Sequence, residues 1–378
     1  MKKILVITGS RGEWGYLRPI LEKLDKEPSL EFSILATNMQ VLSRFGNSYK
    51  EIEKDGFPVK YKIPMSYEGD NYFSHLKSLG SFLTSLGDIL FSESYDFILL
   101  AGDRGEQLIG AIAGAYAYIP TLHIQAGELS GNIDGAARHA IGKLAHIHSA
   151  SNVDAEQRLL STGEQPFRVY RTGAPQIDDM LLPLESVSDV KSRLNIEDGE
   201  HCLVVLHPIT EDLSNLDQYV DEFMLALKEV DLIKIFILPN NDVGSEVIKA
   251  KINGHDLSRA YFHKNLARSE YLSILNDSKF IIGNSSSGIL EAPTYQVPCI
   301  NIGGRQHKRY QGSNVINCEF KKDCILNAIS SALDDDFKDK MVAGDEFPYG
   351  SGDSSQQIVE IFKTVQVNRK LLVKELTV

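Results

Sequence analysis

Ile4-Leu5-Val6-Ile7-Thr8-Gly9-Ser10-Arg11-Gly12-Glu13-Trp14-Gly15 is the stretch whose reading decides the fold. Its four apolar residues are unbroken. A strand with one wet face alternates, whereas a strand covered on both faces reads as a continuous apolar run. The run ends in a polar, glycine-containing turn. An amphipathic stretch, Leu17–Leu24, follows, and then a second apolar run, Phe32–Ala36. Strand, turn, helix and strand in that order imply a right-handed crossover and parallel strands.

The same rhythm repeats outward from this unit. Apolar runs at Phe97–Leu100 and Thr121–Ile124 alternate with helix-like stretches at Leu76–Phe91 and Gln107–Ala117. The pattern pauses after Thr172-Gly173-Ala174-Pro175. A helix-like piece, Gln176–Leu182, leads to Pro183 and the polar, acidic stretch Glu185–Glu200. It restarts at Cys202, with runs at Leu203–Leu206, Ile233–Leu238, Phe280–Ile282 and Cys299–Ile302 and a helix-like stretch at Gln218–Val230. The expected fold class is α/β, with two Rossmann-like, doubly wound domains over residues 1–183 and 184–363. Ser354–Val378 has no strand after it. It either finishes the second domain or crosses back to the first.

Composition agrees. At roughly 100–200 residues per domain, 378 residues make about two domains. Hydrophobic residues at 43% and charged residues at 24% describe an ordinary globular chain. With 39 Lys+Arg against 51 Asp+Glu, the net charge is −12 and no basic block occurs. Nucleic acid and membrane surfaces are therefore not expected partners, since both need a positive face. Cys202, Cys299, Cys318 and Cys324 contain no CxxC pair and read as reduced thiols. The Ile4–Ile7 run is too short for a signal sequence core or a membrane span, and a cytoplasmic location is expected.

Parallel sheets bind ligands at the carboxyl ends of their strands, and two facing domains would form a cleft there. Gly9-Ser10-Arg11 offers a tight turn with an Arg for a phosphate, or simply a solvated turn. Gly102-Asp103-Arg104 sets a carboxylate and a guanidinium after a buried strand, although Asp103 also suits a helix N-cap. His123 to Asp134 crowds Glu128 and Asp134 into one loop, with Arg138 and His139 just beyond. An i,i+4 Asp134–Arg138 ion pair is the bland alternative. Pro208 leaves His207 at a strand end, where a buried, satisfied histidine is equally natural. Pro239-Asn240-Asn241-Asp242 is a polar turn that an Asx turn also explains. The most specific stretch is Gly283-Asn284-Ser285-Ser286-Ser287-Gly288. Its hydroxyls and N–H groups suit an anion, and Glu291 follows, placed to accept from a ribose diol. Asn301-Ile302-Gly303-Gly304-Arg305-Gln306 adds another Arg.

As an ordered set, these motifs resemble the UDP-N-acetylglucosamine 2-epimerase family, and its hydrolysing branch in particular, from Lys3 to about Arg309. The resemblance implies a GT-B-like fold with the substrate between two Rossmann-like domains and the C-terminal helix, 364–378, packed back on the first. It implies a homodimer or tetramer and no metal or nicotinamide cofactor. The implied reaction is UDP-GlcNAc plus water giving UDP and N-acetylmannosamine, for sialic acid-type synthesis. A near relative in the family takes UDP-2,4-diacetamido-2,4,6-trideoxyglucose. The C2 proton has no adjacent carbonyl, so UDP must leave from C1 with positive groups on the diphosphate while a carboxylate takes the proton. Water then adds to the 2-acetamidoglucal.

Asp103, Glu128, Asp134 and His207 are the catalytic candidates under this resemblance. Arg11, Arg104, Arg138, Asn240, Ser285, Ser286, Glu291 and Arg305 are the binding candidates. Two positions depart from the family. Gln125 stands where many members carry glutamate, and Gln40 where a histidine is usual. Glutamine exchanges no proton usefully, so the missing role is absent, moved to Glu128, or taken by Asp103 and Asp134. A GT-B glycosyltransferase and a non-catalytic UDP-sugar sensor share the fold and the UDP site. Release of UDP and free sugar without an acceptor separates the epimerase from both.

Overall fold

Continuous apolar runs become the inner strands of two parallel sheets, because only a strand with helices on both faces buries every side chain. The computed structural model describes residues 1–43, 46–65, 72–129, 133–209, 212–239, 244–264, 266–342, 347–375 and 377, without the side chains of Tyr72, Ile133, Asp134, Asn253 and Val342. Asn240 lies outside the described residues. The chain divides into two compact units, Met1–Leu181 with Tyr349–Val378, and Leu182–Pro348.

The first unit runs β1 (Lys2–Thr8), α1 (Arg11–Leu24), β2 (Leu30–Thr37), α2 (Tyr49–Lys54), β3 (Val59–Ile63), α3 (Tyr72–Ser92) and β4 (Phe97–Ala101). It continues with α4 (Gly105–Tyr116), β5 (Thr121–Ala126), α5 (Ile133–Leu144), β6 (Ile147–Ala150), α6 (Val153–Ser161) and β7 (Val169–Arg171). The strands pair in parallel in the order β3-β2-β1-β4-β5-β6-β7. Alternate residues of β1 feed two cores. Ile4 and Val6 pack with Leu17 and Leu21 of α1. Leu5 and Ile7 pack with Phe82 and Leu86 of α3, Ile109 of α4 and Ile141 of α5.

The second unit runs α7 (Val187–Arg193), β8 (His201–Val205), α8 (Leu216–Lys228), β9 (Ile233–Ile237), α9 (Ser245–Gly254), β10 (Ala260–His263) and α10 (Arg268–Asn276). It continues with β11 (Ile281–Gly283), α11 (Ser286–Leu290), β12 (Cys299–Ile302), β13 (Val315–Cys318), α12 (Lys322–Leu333) and α13 (Asp335–Val342). Its sheet order is β10-β9-β8-β11-β12-β13, again parallel. Its core joins Val204, Phe223, Phe236, Ile282, Ile300 and Ile329.

The chain returns to the first unit at Tyr349, earlier than the 364 expected from sequence. The reason is α14 (Ser354–Thr364), whose apolar stripe Ile358, Val359, Ile361 and Phe362 joins the core with Ile4 and Leu99. At about 1.5–3 kcal/mol per fully buried side chain, that stripe outweighs any single polar contact. Phe362 meets Phe97 edge-on at 5.3 Å, and Lys2 Nζ donates to the Phe362 carbonyl at 2.8 Å. A last short helix, α15 (Arg369–Leu372), is closed by fully buried Arg168, which donates to the carbonyls of Leu371 (2.6 Å), Lys370 (2.7 Å) and Val373 (3.1 Å). Among the described residues no helix is long and apolar enough to cross a membrane, and no His, Cys, Asp and Glu side chains group in threes to hold a metal ion.

Candidate active site

In the first unit the ends of β1, β4 and β5 come together. Ser10 caps α1 by accepting from Glu13 N at 3.4 Å. Glu13 turns back, and its Oε2 accepts from Gly9 N (2.5 Å) and Gln107 Nε2 (3.0 Å). Gln107 also donates to the Ile7 carbonyl and accepts from Ala101 N, which ties β1 to β4. Beside Glu13 lies Glu106, fully buried, holding Arg104 Nε (3.0 Å) and Asn38 Nδ2 (3.1 Å). Gly9 is required by this crowding, since a Cβ there would stand 1.9 Å from Glu106 Oε1.

Burial, and next the Glu106 carboxylate, hold the Glu13 carboxyl well above its ordinary 4.5. The folded chain therefore keeps a proton that the unfolded chain loses as pH rises past about 4.5, and stability falls with pH up to the folded value. Glu13→Gln, a neutral isostere, removes that slope. Melts of both proteins at about pH 5 and about pH 8 should show the variant gaining on the wild type as pH rises. A gain by the wild type instead would mean that Glu13 is ionised.

Asp103 stands at the end of β4, and its Oδ2 pairs with Arg138 Nη2 on α5. The Arg138 side chain is 3% exposed and that of Asp103 19%, so the carboxylate is the part that reaches solvent. Arg138 also donates to the Gln125 carbonyl at 3.4 Å. Gln125 is buried with φ at +57°, a left-handed conformation unusual for a residue with a side chain. His123 Nε2 donates to the Gly102 carbonyl at 2.6 Å. Burial lowers this imidazole to about 3, so it is a neutral strut between β5 and β4. Asp134 lies in the first turn of α5, four residues before Arg138; its side chain is outside the described residues.

Glu128 is buried, and its Oε1 accepts from Ser151 Oγ and from Asn152 Nδ2 (2.6 Å). Asn152 in turn caps α6 through Ala155 N at 2.8 Å. These contacts brace the β5 loop against α6. Gln40 is likewise built in: its amide donates to Thr8 Oγ1 (3.1 Å) and the Ser10 carbonyl (2.8 Å) and accepts from Ser48 Oγ (2.7 Å). It shapes the turn before Arg11. The Arg11 guanidinium points outward in a half-exposed pair with Glu51 at 2.9 Å. Such a pair is weak and readily exchanged for another anion.

In the second unit Asn284 organises the ends of β8, β11 and β12. It is fully buried; its Oδ1 accepts from His207 N (2.7 Å) and its Nδ2 donates to the His207 carbonyl (2.9 Å). Its own carbonyl accepts from Arg305 Nη1 (2.9 Å) and Gln306 Nε2 (3.2 Å). Asn284 thereby holds His207 through its side chain and Arg305 through its backbone carbonyl. Gly283 precedes it with φ at +137°, and a Cβ would meet the Val205 carbonyl at 2.1 Å. Ser285 caps α11 and Ser286 begins it, both half-buried. The helix is only five residues long, so hydroxyls and loop N–H groups matter more here than an extended helix dipole. Glu291 ends it, held by Arg268 Nη1 (2.7 Å) and by Ser287 Oγ, which also receives Tyr271 OH.

Glu13, Glu106, Gln107, Asn284, Arg268 and Gln306 were not among the sequence candidates. Asn284 sat inside the quoted motif, but nothing in a single sequence separates a residue that holds a site from one that lines it.

Two Rossmann-like parallel-sheet units, each with a polar cluster at its strand ends, define a GT-B-like fold. A crystal structure of UDP-GlcNAc 2-epimerase from Neisseria meningitidis bound to UDP-GlcNAc shares it, with a TM-score of 0.80 over 96% of this chain and all of that one at 19% identity. The family model for UDP-N-acetylglucosamine 2-epimerase matches residues 22–363. Among curated proteins, a Legionella pneumophila UDP-N,N'-diacetylbacillosamine 2-epimerase (hydrolyzing) is 32% identical over 377 residues, 99% of both chains. A UDP-N-acetylglucosamine 2-epimerase of Neisseria meningitidis is 33% identical over 333 residues, 88% of both. The chain belongs to the UDP-N-acetylglucosamine 2-epimerase family, on its hydrolysing branch.

Proposed function

We propose that the protein converts a UDP-2-acetamido sugar and water into UDP and the free 2-epimer. The observation that carries this reading is the end-to-end similarity to a hydrolysing 2-epimerase, 99% of both chains. We take the substrate to be the UDP-2,4-diacetamido-2,4,6-trideoxy sugar, which is the diacetylbacillosamine that relative is named for. UDP-GlcNAc is the second reading, favoured by the Neisseria relative at 33% identity. Either product would feed sialic acid-type sugar synthesis.

In this proposal the C1–O bond to UDP breaks as a carboxylate removes the C2 proton, leaving a 2-acetamidoglucal. Water adds to C1 and a proton returns to C2 from the opposite face. We assign the two proton transfers to Asp103 and Asp134, with Arg138 fixing Asp103. Arg11, Arg104, His207, Ser285, Ser286 and Arg305 serve the diphosphate, Asn240 the UDP moiety and Glu291 the ribose. Glu128 braces its loop instead of meeting the sugar, which agrees with its bonds to Ser151 and Asn152.

NMR of each UDP-sugar incubated with the protein in deuterated water tests the reading. Expected are UDP and a free 2-epimer carrying deuterium at C2, and Glu128→Gln should retain that label. Unchanged UDP-sugar would identify a sensor. A requirement for an acceptor would identify a glycosyltransferase. A 2-epimer still joined to UDP would overturn the hydrolytic step.

A further inference from the structure

Strand β5 carries an extra residue just before its end. Ile124 pairs with Ser149 of β6 and Ala126 with Ala150, so Gln125 between them has no place in the ladder. Such bulges are uncommon between parallel strands, and they gather beside active sites, where they re-aim a side chain. Gln125 takes a φ of +57°, which a glycine would adopt without strain. The strain is held in place from three sides. Arg138 donates to the Gln125 carbonyl (3.4 Å), Arg158 Nη1 donates to the Gly127 carbonyl (2.7 Å), and the Glu128 side chain is bound by Ser151 and Asn152. A rare backbone conformation that its surroundings enforce belongs with a side chain that has a task.

That task is not inside the fold. Gln125 is 5% exposed, yet among the described residues its side-chain amide makes no hydrogen bond. Neither polar atom of the amide is sealed from the surface, so its tip opens at the strand end. A glycine here would avoid the strain and lose only that tip. The tip carries an NH2 donor, which a carboxylate of the same size lacks. The Arg138 guanidinium that holds the Gln125 carbonyl also holds Asp103, the carboxylate assigned to the C2 proton. In a UDP-2-acetamido sugar, C2 bears both that proton and an amide. Resting on the proposed reaction, we infer that Gln125 recognises the C2 acetamido group of the substrate, its NH2 donating to the acetamido carbonyl. Held at that point, the substituent fixes the sugar ring relative to Asp103. Gln125 is then a specificity residue that separates acetamido sugars from UDP-sugars with a hydroxyl at C2.

Calorimetric titration of the full chain tests this, in an Asp103→Asn background that slows turnover. The ligands are UDP, UDP-glucose, UDP-GlcNAc and the UDP-2,4-diacetamido sugar. UDP-GlcNAc should bind about tenfold more tightly than UDP-glucose, the scale of a hydrogen bond or two. Adding Gln125→Gly should bring the two within about twofold by weakening UDP-GlcNAc alone. Gln125→Glu keeps the size, removes the donor and should do the same. The glycine variant should melt no lower than its parent, since it suits the positive φ. The readout is binding, so a protein that binds UDP-sugars without releasing UDP would refute the proposed reaction and leave this test intact. A preference for UDP-GlcNAc over UDP-glucose that survives either substitution would overturn the inference. So would an equal loss for UDP and every sugar, which would make Gln125 a structural residue. Loss confined to the margin between the diacetamido sugar and UDP-GlcNAc would overturn it too, by moving the contact to C4.

Discussion

Asp103→Asn is expected to lower turnover by about 10²–10⁴-fold, the range lost when a positioned acid or base is removed. The side chain keeps its size and can still accept from Arg138, so the β4 end should keep its shape. What it loses is the capacity for the proton exchange at C2 that we assign to it. UDP affinity should stay within about twofold, because every group we assign to the ribose and most assigned to the diphosphate lie in the other unit. The melting temperature should fall somewhat, since the buried member of the pair, Arg138, keeps an acceptor but loses the negative charge that compensates its own. Turnover from UDP release, and affinity from calorimetric titration with UDP, separate these effects. A variant with near wild-type turnover would reduce Asp103 to an anchor for Arg138 and shift the chemistry to Asp134 alone.

The inner strands were legible and the outer ones were not. All eight apolar runs read from sequence became strands. The strands without such a run were β3, β6, β7, β10 and β13. Four of these are sheet edges, where one side is unpaired and burial is partial or alternating, so no continuous run is needed. The fifth, β6, is buried but reads Ile147-His148-Ser149-Ala150. Its polar residues are satisfied inside: His148 meets Glu164 at 3.0 Å and Ser149 meets Thr172. A hydropathy pattern cannot anticipate partners that lie more than fifteen residues away. The same limit hid the return of α14, whose stripe was visible but whose destination was not.

The candidate site divides along similar lines. Sequence marked most strand ends because glycine, proline or charge follows the apolar run there. It could not rank the residues within them. Glu128 and Asp103 read alike as carboxylates in polar loops, yet one is tied to Ser151 and Asn152 and the other to Arg138. Ser10-Arg11-Gly12-Glu13 carries the S-x-x-E spacing of a capping box, a local signal that could have singled out Glu13. Its burial against Glu106 depends on packing between β1 and α4 and has no local signature.

Asn284→Ala is the second large effect to expect. The change removes at once the two hydrogen bonds that the Asn284 side chain makes to the His207 backbone in a part-buried turn. At about 0.5–1.5 kcal/mol net for each hydrogen bond, the second unit should lose roughly 1–3 kcal/mol. Each kcal/mol is worth about 2–4 °C in a domain of this size. The loss should reach function through geometry: the Asn284 side chain places His207, and its backbone carbonyl, in the same turn, accepts from Arg305. UDP affinity should fall by at least about tenfold, a change of about 1.4 kcal/mol. Turnover at saturating UDP-sugar should fall much less, since Asp103 and Arg138 are untouched, so KM should rise more than kcat falls. Asn284→Asp sharpens the test. It keeps the acceptor for His207 N–H but sets a carboxylate oxygen against the His207 carbonyl, and it should weaken UDP binding despite its matched size. Unaltered UDP affinity in a folded Asn284→Asp protein would place the diphosphate away from this strand end and remove Ser285, Ser286 and Arg305 from the site.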